Sequence, residues 1–166
     1  MLQKIIFKDS STSFLTDDLE RTPLHWAARG VYFDIVKYLV DNNADVNAKD
    51  IYQITPIASI TARNHLGALE YVLKNGANPN TLDFERNTPL HYAAANGQVK
   101  AAQILIENGA SVHIKNSYER TPLLMAVRES GNLEMVKLLI DYGSNINTKD
   151  NGQNTALTLA AWRGHK

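Results

Sequence analysis

Thr22-Pro23-Leu24-His25 occurs a second time, residue for residue, as Thr88-Pro89-Leu90-His91. Related phrases begin at Thr55, Thr121 and Thr155, so that successive starting threonines are 33, 33, 33 and 34 residues apart. Self-similarity at a fixed period of about 20–50 residues indicates a repeat protein, in which each unit buries its apolar face by stacking on its neighbours. The spacing therefore predicts a solenoid, an architecture that presents extended surfaces.

Each phrase is suited to begin a helix. A threonine hydroxyl accepts a hydrogen bond from an unpaired N–H of the first turn, and proline at the first helical position loses no hydrogen bond. The leucine that follows, Leu24, Leu90 or Leu123, is expected to point into the core. Small pairs further along, such as Ala27-Ala28 and Ala93-Ala94, allow neighbouring helices to approach closely.

A second apolar stretch follows each of these helices and predicts a second helix. The four copies are at 35–40, 69–73, 102–106 and 135–140. Each copy is followed by Asn or Gly, as at Asn43 and Gly76, residue types that tolerate the left-handed backbone that closes a helix. A short extended segment then leads to the next phrase, so the repeat reads turn, helix, tight loop, helix, turn.

The repeat resembles that of the ankyrin family, whose unit of about 33 residues and T-P-L-H-x-A pattern it matches from about Asp17 to Lys166. The resemblance implies an all-α repeat solenoid of stacked helix-loop-helix units with β-hairpin fingers. It divides the chain into a capping segment, 1–16, and a repeat domain, 17–166. The repeats are 22–54, 55–87, 88–120, 121–154 and a partial copy, 155–166. The family usually has Gly two residues before each threonine, where this chain has Glu20, Gln53, Arg86, Glu119 and Gln153.

Three places depart from the pattern. Ile60 and Thr61 stand where other copies have a small pair, which predicts a displaced or rotated helix. The fourth copy is one residue longer at 128–131, which predicts a longer loop between its helices. The helix expected at Leu157–Trp162 has no second helix after it, so apolar residues such as Leu159 would be exposed or used for association.

Composition excludes several classes of function. The 17 basic and 17 acidic side chains cancel and no Lys/Arg-rich stretch is present, which argues against a nucleic-acid partner. Cysteine is absent, which excludes disulfides and thiolate chemistry. The first apolar run is three residues long, too short for a signal peptide, and no stretch approaches the roughly 18 apolar residues of a membrane span. We therefore expect a soluble cytoplasmic or nuclear domain, or one delivered into a host cell if its source is bacterial.

A search for catalytic residues yields none. His25 and His91 share one position of the repeat, so we interpret them as structural residues that hydrogen-bond near the helix start and bridge adjacent repeats. His65 and His113 are expected to be exposed polar residues. The metalloprotease, P-loop, nucleophile-elbow and dinucleotide motifs are all missing. The sequence thus predicts a protein that is not an enzyme and has no cofactor, metal or small-molecule substrate.

The candidate binding residues lie first on the finger tips. Tyr52, Phe84 and Tyr118 fall on three successive tips, with Ile51 beside the first and Glu85 beside the second. Exposed aromatic side chains favour an interaction surface. The alternative is that each ring folds back onto its neighbouring finger and stiffens the stack.

The first helices supply a second row. Trp26, Tyr92 and Met125 lie four residues after their threonines, a position that the resemblance places towards the groove; packing between repeats is the alternative. Arg29, Arg63 and Arg128 follow further along these helices and should face solvent. Together the rows describe a groove suited to a peptide with apolar anchors and some acidic character.

These observations predict a protein-protein interaction module that binds a partner protein or peptide and is monomeric. One alternative is the targeting or substrate-recruiting part of a larger enzyme or host-directed effector. Another is a self-assembling array, in which the helix Leu157–Trp162 docks on a second copy. From the resemblance alone, Asn47, Asn80 and Asn147 match a position that asparaginyl hydroxylases modify in similar repeats.

Overall fold

The computed structural model describes residues 15–164, and over that range the secondary structure is helical without any β-strand. The helices are α1 Pro23–Gly30, α2 Phe33–Asp41, α3 Pro56–Ala62, α4 Leu66–Lys74, α5 Pro89–Ala95, α6 Val99–Glu107, α7 Pro122–Met125, α8 Leu133–Asp141 and α9 Ala156–Arg163. A π-helical turn, Ala126–Ser130, continues directly from α7. This succession of short helix pairs confirms the all-helical repeat. The capping segment predicted at 1–16 lies almost entirely outside the described residues.

Two of the Thr-Pro phrases, those of Thr22 and Thr88, begin their helices through a reciprocal cap. The hydroxyls of Thr22 and Thr88 accept the backbone N–H of His25 and His91, each at 3.4 Å. The ring Nδ1 of each histidine accepts the N–H of its capping threonine in return, at 3.1 Å. Two unpaired donors are thereby satisfied, with histidine in the place that Glu or Gln usually takes in a capping box. The threonines that precede α7 and α9 also accept from the first helical turn.

The chain divides into two compact units, Met1–Asn78 and Pro79–Lys166. In the N-terminal unit α1 packs against α2 and α3, α3 packs against α4, and α2 packs against α4. Its fully buried large side chains are Leu24, His25, Ile57, Ile60 and Leu69. Thr61, which replaces a small residue, is also buried, and its hydroxyl donates to the carbonyl of Ile57 at 2.8 Å. The larger pair of the second copy is therefore accommodated inside the core.

In the C-terminal unit α5 packs against α6, α7 and the π-helical turn, while α8 packs against α6 and α7. Its fully buried large side chains are Leu90, His91, Leu105, Leu123, Leu124, Met135 and Leu139. These residues come from both the first and the second helices of the repeats. Each helix has one apolar face, and the core forms where these faces meet.

The fingers are closed turns, so the β-hairpin strands of the prediction are not confirmed over residues 15–164. In the finger that begins at Asp50, the Gln53 N–H donates to the Asp50 carbonyl at 2.8 Å and the Asp50 N–H donates to the Ile54 carbonyl at 3.1 Å. The same pair of bonds closes the fingers that begin at Asp17, Asp83, Asn116 and Asp150. Neighbouring fingers of the same unit are joined by single backbone bonds, in which the N–H groups of Ile51, Ser117 and Asn151 donate to the carbonyls of Leu19, Glu85 and Tyr118; these are too few for a strand ladder.

The turn geometry explains the residues that replace the family's glycine. Glu20, Gln53, Arg86, Glu119 and Gln153 all have φ between 57° and 62°. This left-handed residue after a tight turn is the arrangement of a three-residue hairpin loop with a bulge. The fingers therefore keep the geometry that glycine would favour, and each carries the conformational cost of a side chain at positive φ.

The extra residue of the fourth copy does not lengthen the loop, so that prediction is wrong. It is absorbed within the helix as the π-helical turn Ala126–Ser130, which ends at Gly131 with φ of 59°. The Ser130 hydroxyl donates to the carbonyls of Ala94 at 3.0 Å and Ala126 at 2.9 Å. Widening the helix by one residue lets the turn stay packed on α5, which an enlarged loop would not do.

Helix α9 corrects a second expectation. Leu159 is only 2% exposed, because α9 packs against α7 and the π-helical turn. Leu157 and Trp162 point away from these contacts and are 79% and 80% exposed. The unpartnered apolar surface of this helix is therefore formed by Leu157 and Trp162 without Leu159.

Candidate functional site

The second finger of the N-terminal unit, which begins at Asp50, presents two apolar side chains, Ile51 and Tyr52, to solvent. One carboxylate oxygen of the buried Asp50 accepts the N–H of Tyr52 and the N–H of Ile54, each at 2.9 Å. The N–H of Ile51 donates to the carbonyl of Leu19 in the preceding finger at 3.1 Å. The backbone that carries these side chains is thus fixed, while half of the Tyr52 surface stays accessible (51%).

The two aromatic fingers of the C-terminal unit differ from each other. Phe84 is 78% exposed, and its ring has no aromatic or cation contact with the rest of residues 15–164. Tyr118 is 45% exposed, and the Arg120 guanidinium lies 5.0 Å from its ring centroid. Glu85 is exposed and accepts the side-chain amide of Asn87 at 3.3 Å. Tyr118 therefore has a partner within its own finger, and Phe84 is presented to solvent alone.

The aromatic residues of the first helices are tied to the fingers. Trp26 Nε1 donates to Asp17 Oδ2 at 3.2 Å, and the Arg21 guanidinium lies 4.1 Å from the Trp26 ring centroid. In the same way the Tyr92 hydroxyl donates to a carboxylate oxygen of Asp83, nine residues earlier in the chain. One carboxylate oxygen of Asp17 or Asp83 thus accepts backbone N–H groups of its own turn. The other oxygen accepts a hydrogen bond from the aromatic side chain of the following helix.

This link restricts how freely the side chains of Trp26, Tyr92 and Met125 can contact a partner. Met125 makes the weakest version of it, a contact of 3.9 Å between its sulfur and the side-chain amide of Asn116. Tyr92 and Met125 are half-buried, and Trp26 is more accessible. The hydrogen bond from Arg21 lowers the pKa of Asp17 to about 2, so this carboxylate stays charged. The sequence analysis missed the link because it joins residues nine positions apart across a turn.

Two of the three predicted arginines lie together. Arg29, in the last turn of α1, and Arg63, which follows α3, are exposed and line one pocket of the N-terminal unit. The pocket has a volume of about 170 Å³, and its other lining residues are Arg21, His25, Asp50, Ile54, Ser59 and Ala62. Arg128 belongs to the C-terminal unit, where its Nε lies 2.8 Å from Glu129. Arg128 is therefore paired, although Glu129 also lies 3.6 Å from the guanidinium of Arg163.

The structural role predicted for the repeated histidines is confirmed. The Nε2 atoms of His25 and His91 lie 3.0 Å from the carbonyls of Ile54 and Arg120, the residues that precede the next threonines. Because Nδ1 accepts a backbone N–H in both residues, Nε2 carries the proton and donates. Burial lowers the pKa of His91 to about 4 and shifts the pKa of His25 in the same direction.

The remaining histidines have unequal outcomes. His113 is exposed, as expected. His65 is half-buried, and its Nδ1 accepts the N–H of Ala68 at 3.2 Å, so it caps α4. Its ring also lies 5.9 Å from that of Phe33. The expectation of an exposed loop residue was wrong for His65 because tertiary packing and the capping bond cover it.

The three asparagines of the extended segments are not equivalent. Asn47 Nδ2 donates to the Gly76 carbonyl at 3.0 Å, and its Oδ1 accepts the N–H of Asn78 at 2.8 Å. Asn80 makes the corresponding pair of bonds, both at 2.8 Å, to Gly109 and Ser111. Asn147 is exposed. An enzyme that modified Asn47 or Asn80 would have to break two hydrogen bonds between successive repeats.

Within residues 15–164, no cluster of three or more His, Cys, Asp or Glu side chains could hold a metal ion. In the same part of the chain, none of the helices has the length and apolar character needed to cross a bilayer.

Family models describing ankyrin repeats match the chain at residues 20–51, 49–116 and 105–160. The three matches overlap and together run from the first finger into α9. Each matched region contains at least one capped first helix together with the second helix of its repeat.

Curated relatives match shorter segments. A stretch of 50 residues is 42% identical to Palmitoyltransferase AKR1 of Lachancea kluyveri and covers 30% of this chain and 7% of that protein. A stretch of 57 residues is 39% identical to Serine/threonine-protein kinase VIK of Arabidopsis thaliana, covering 34% and 13%. A stretch of 36 residues is 58% identical to Alpha-latroinsectotoxin-Lt1a of Latrodectus tredecimguttatus, covering 22% and 3%. The chain thus spans only a small part of the length of these relatives.

Proposed function

Because the chain belongs to the ankyrin-repeat family, whose repeats generally serve protein interaction, we propose that it binds a partner protein or peptide through its finger tips and first helices. The repeats assigned from the period, 22–54 to 155–166, form one non-catalytic binding domain, 17–166. Its monomer carries no cofactor and binds neither nucleic acid nor membrane. The absence of cysteine suits a reducing compartment, the cytosol or nucleus.

The observation that carries this proposal is the exposure of Phe84. A phenylalanine ring that is 78% exposed leaves most of its apolar surface in water. Covering such a side chain is worth about 1.5–3 kcal/mol. A partner that buries Phe84 gains this free energy, and Ile51 and Tyr52 of the N-terminal unit offer a second place of the same kind.

The rigidity of the fingers supports the same function. Each tip is closed by two backbone hydrogen bonds, and the Asp or Asn side chain that begins the finger accepts backbone N–H groups of its own turn. A surface that is ordered before binding loses little conformational entropy on association, so more of the contact free energy becomes affinity. The cost of ordering is met during folding, when the repeats stack.

The arginines at the ends of the first helices favour a partner with acidic character. Arg29 and Arg63 are exposed in the N-terminal unit, and neither forms an ion pair within residues 15–164. Arg128 contributes less, since its guanidinium is already paired with Glu129. The partner segment therefore combines apolar anchors for the fingers with carboxylates for the arginines.

A second candidate function follows from the relatives. Two of them are named as enzymes, a palmitoyltransferase and a protein kinase, and the matched segment is a small part of each. The domain could recruit substrates or direct location in a larger enzyme or host-directed effector. Sequencing the complete reading frame decides between a separate binding protein and a recruiting domain.

The proposal is tested by affinity capture from a cell lysate. The finger variant Tyr52→Ala, Phe84→Ala, Tyr118→Ala should lose the partners that the intact protein recovers. The matched control Tyr32→Ala, Leu133→Ala, Tyr142→Ala removes three exposed side chains that lie outside the fingers, and it should retain them. Equal recovery by the finger variant and the intact protein would show that the fingers do not bind.

A further inference from the structure

The pocket between α1 and α3 of the N-terminal unit has an unbalanced charge. Arg21, Arg29 and Arg63 line it together with one carboxylate, that of Asp50. Arg21 is already neutralised by Asp17, whose Oδ2 lies 2.8 Å from its guanidinium. Asp50 stays committed to the N–H groups of its own turn. Three guanidiniums therefore face two carboxylates, which leaves one positive charge.

The position of the two guanidiniums that form no ion pair, of which Arg29 lies 5.9 Å from the Trp26 ring centroid, explains why the fold tolerates them. Arg29 lies in the last turn of α1, and Arg63 is the residue that closes α3. The negative end of a helix macrodipole stabilises a nearby cation. The two helix ends thus offset part of the repulsion between the arginines and leave their N–H donors available.

We propose that this pocket receives one carboxylate side chain, Asp or Glu, of the bound partner, with Arg29 and Arg63 as the principal donors. The inference rests on the proposed function, because the carboxylate belongs to the partner segment. Paired guanidinium and carboxylate groups form charge-assisted hydrogen bonds, which are stronger than neutral ones. Ser59 lines the same pocket and offers a hydroxyl as a further donor.

Size and charge favour a single carboxylate over larger or more highly charged groups. The volume of about 170 Å³ lies below the roughly 300–1,000 Å³ of pockets for small-molecule ligands, so it suits one side chain. One negative charge restores neutrality. A phosphoryl group brings about 1.5–2 negative charges and would add repulsion from the Asp50 carboxylate. The neutral His25 imidazole, already hydrogen-bonded to Ile54, adds no positive charge.

The test uses a small probe that does not need the fingers. The ¹⁵N-labelled protein is titrated at constant ionic strength with N-acetyl-glutamate N-methylamide, with the glutamine analogue, and with inorganic phosphate. We expect the Nε–Hε signals of Arg29 and Arg63 to shift saturably with a Kd on the order of 1–10 mM, within the weak range expected of a single side chain. The glutamine analogue should bind at least about tenfold more weakly. The signal of Arg86, exposed on a finger of the other unit, should not saturate.

Paired variants supply the control. Arg29→Gln with Arg63→Gln should abolish saturable binding, whereas Arg86→Gln with Lys100→Gln, which removes the same charge from exposed positions, should leave it intact. The proposal is overturned if Arg86 responds like Arg29, if the glutamine analogue binds equally well, or if phosphate binds more tightly. Such a failure would leave partner capture by the fingers untouched, so the two proposals can fail separately.

Discussion

His91 stays neutral in the folded protein because both of its ring nitrogens are already committed. Nδ1 accepts the Thr88 N–H at 3.1 Å, and Nε2 donates to the Arg120 carbonyl at 3.0 Å. A proton added at Nδ1 would face the Thr88 N–H donor, and burial would penalise the charge as well. The residue therefore couples folding to pH.

We expect the free energy of unfolding to fall as pH falls from 7 to 5. The pKa of His91 is about 4 in the folded state, against the ordinary histidine value of 6.5 in the unfolded chain. Below pH 6.5 the unfolded state binds a proton that the folded state does not, so stability is lost progressively down to about pH 4. Between pH 7 and pH 5 the loss due to His91 is about 2 kcal/mol. Urea unfolding at the two pH values measures it.

His113 provides the control for this effect, because it is exposed. His113→Gln should keep the full pH dependence, whereas His91→Gln should reduce it and leave the smaller contribution of His25. An unchanged pH dependence in His91→Gln would refute the explanation.

Gln53 shows the cost of replacing glycine in a finger. Its φ is 60°, a region that is unfavourable for residues with a Cβ atom by about 1–2 kcal/mol. We expect Gln53→Gly to stabilise the protein by about 0.5–1 kcal/mol after the greater entropy of unfolded glycine is counted. Gln53→Ala keeps the Cβ atom and should not stabilise. Denaturant midpoints of the three proteins compare them, and equal gains from Ala and Gly would contradict the role of the backbone.

At the scale of elements, helices with the same cap differ in how much they bury. Both α5 and α9 begin with a threonine in a capping box. The buried residues of α5 are Pro89, Leu90, His91, Ala93 and Ala94, whereas α9 buries Leu159. Tertiary burial supplies most of the stability of a short helix. The cap alone therefore does not make the two helices equally stable.

Hydrogen exchange should detect this difference. We expect the backbone amides of α9 to exchange at least about tenfold faster than those of α5, since local opening exposes less apolar surface there. Because both helices begin with a threonine capping box, the comparison chiefly reports the difference in burial. Similar protection of the two helices would mean that capping outweighs packing in this fold.

At the scale of the whole molecule, charge balance and exposed apolar surface act together. The formal net charge is zero and the isoelectric point is about 7.0, so net repulsion between copies is minimal at pH 7. Leu157 and Trp162 are exposed by 79% and 80% on one helix. We expect weak, concentration-dependent self-association at pH 7.

Light scattering of the intact chain tests this expectation. Leu157→Ser with Trp162→Ser should remove the rise in apparent mass with concentration, and raising the pH to 9 should reduce it through net negative charge. The control variant Tyr142→Ser removes one exposed aromatic side chain at the residue that closes α8, and it should leave the concentration dependence of the apparent mass unchanged. Association that persists in the α9 variant would place the contact elsewhere.

The amino-acid sequence by itself determined the repeat period, the helical class, the caps of the first helices and the structural role of His25 and His91. The period and the shared position of the histidines are visible because the same residue types recur at intervals of about 33 positions. The caps depend on rules that act between residues three to five positions apart, such as a threonine and the first turn it caps. Such neighbours are adjacent in the sequence and can be recognised there. The exclusion of cysteine chemistry rested on composition alone.

Only the tertiary structure decided which side chains of the candidate surface remain free. Trp26 is held by Asp17, Arg128 is paired with Glu129, and Leu159 is buried, whereas Phe84 stays exposed. Tertiary structure also absorbed the inserted residue of the fourth copy in a π-helical turn. The physical reason is that the exposure of a side chain, its ion pairs and the room for an inserted residue all depend on how whole helices pack. The sequence pattern shows the periodicity of each helix but not the contacts between helices.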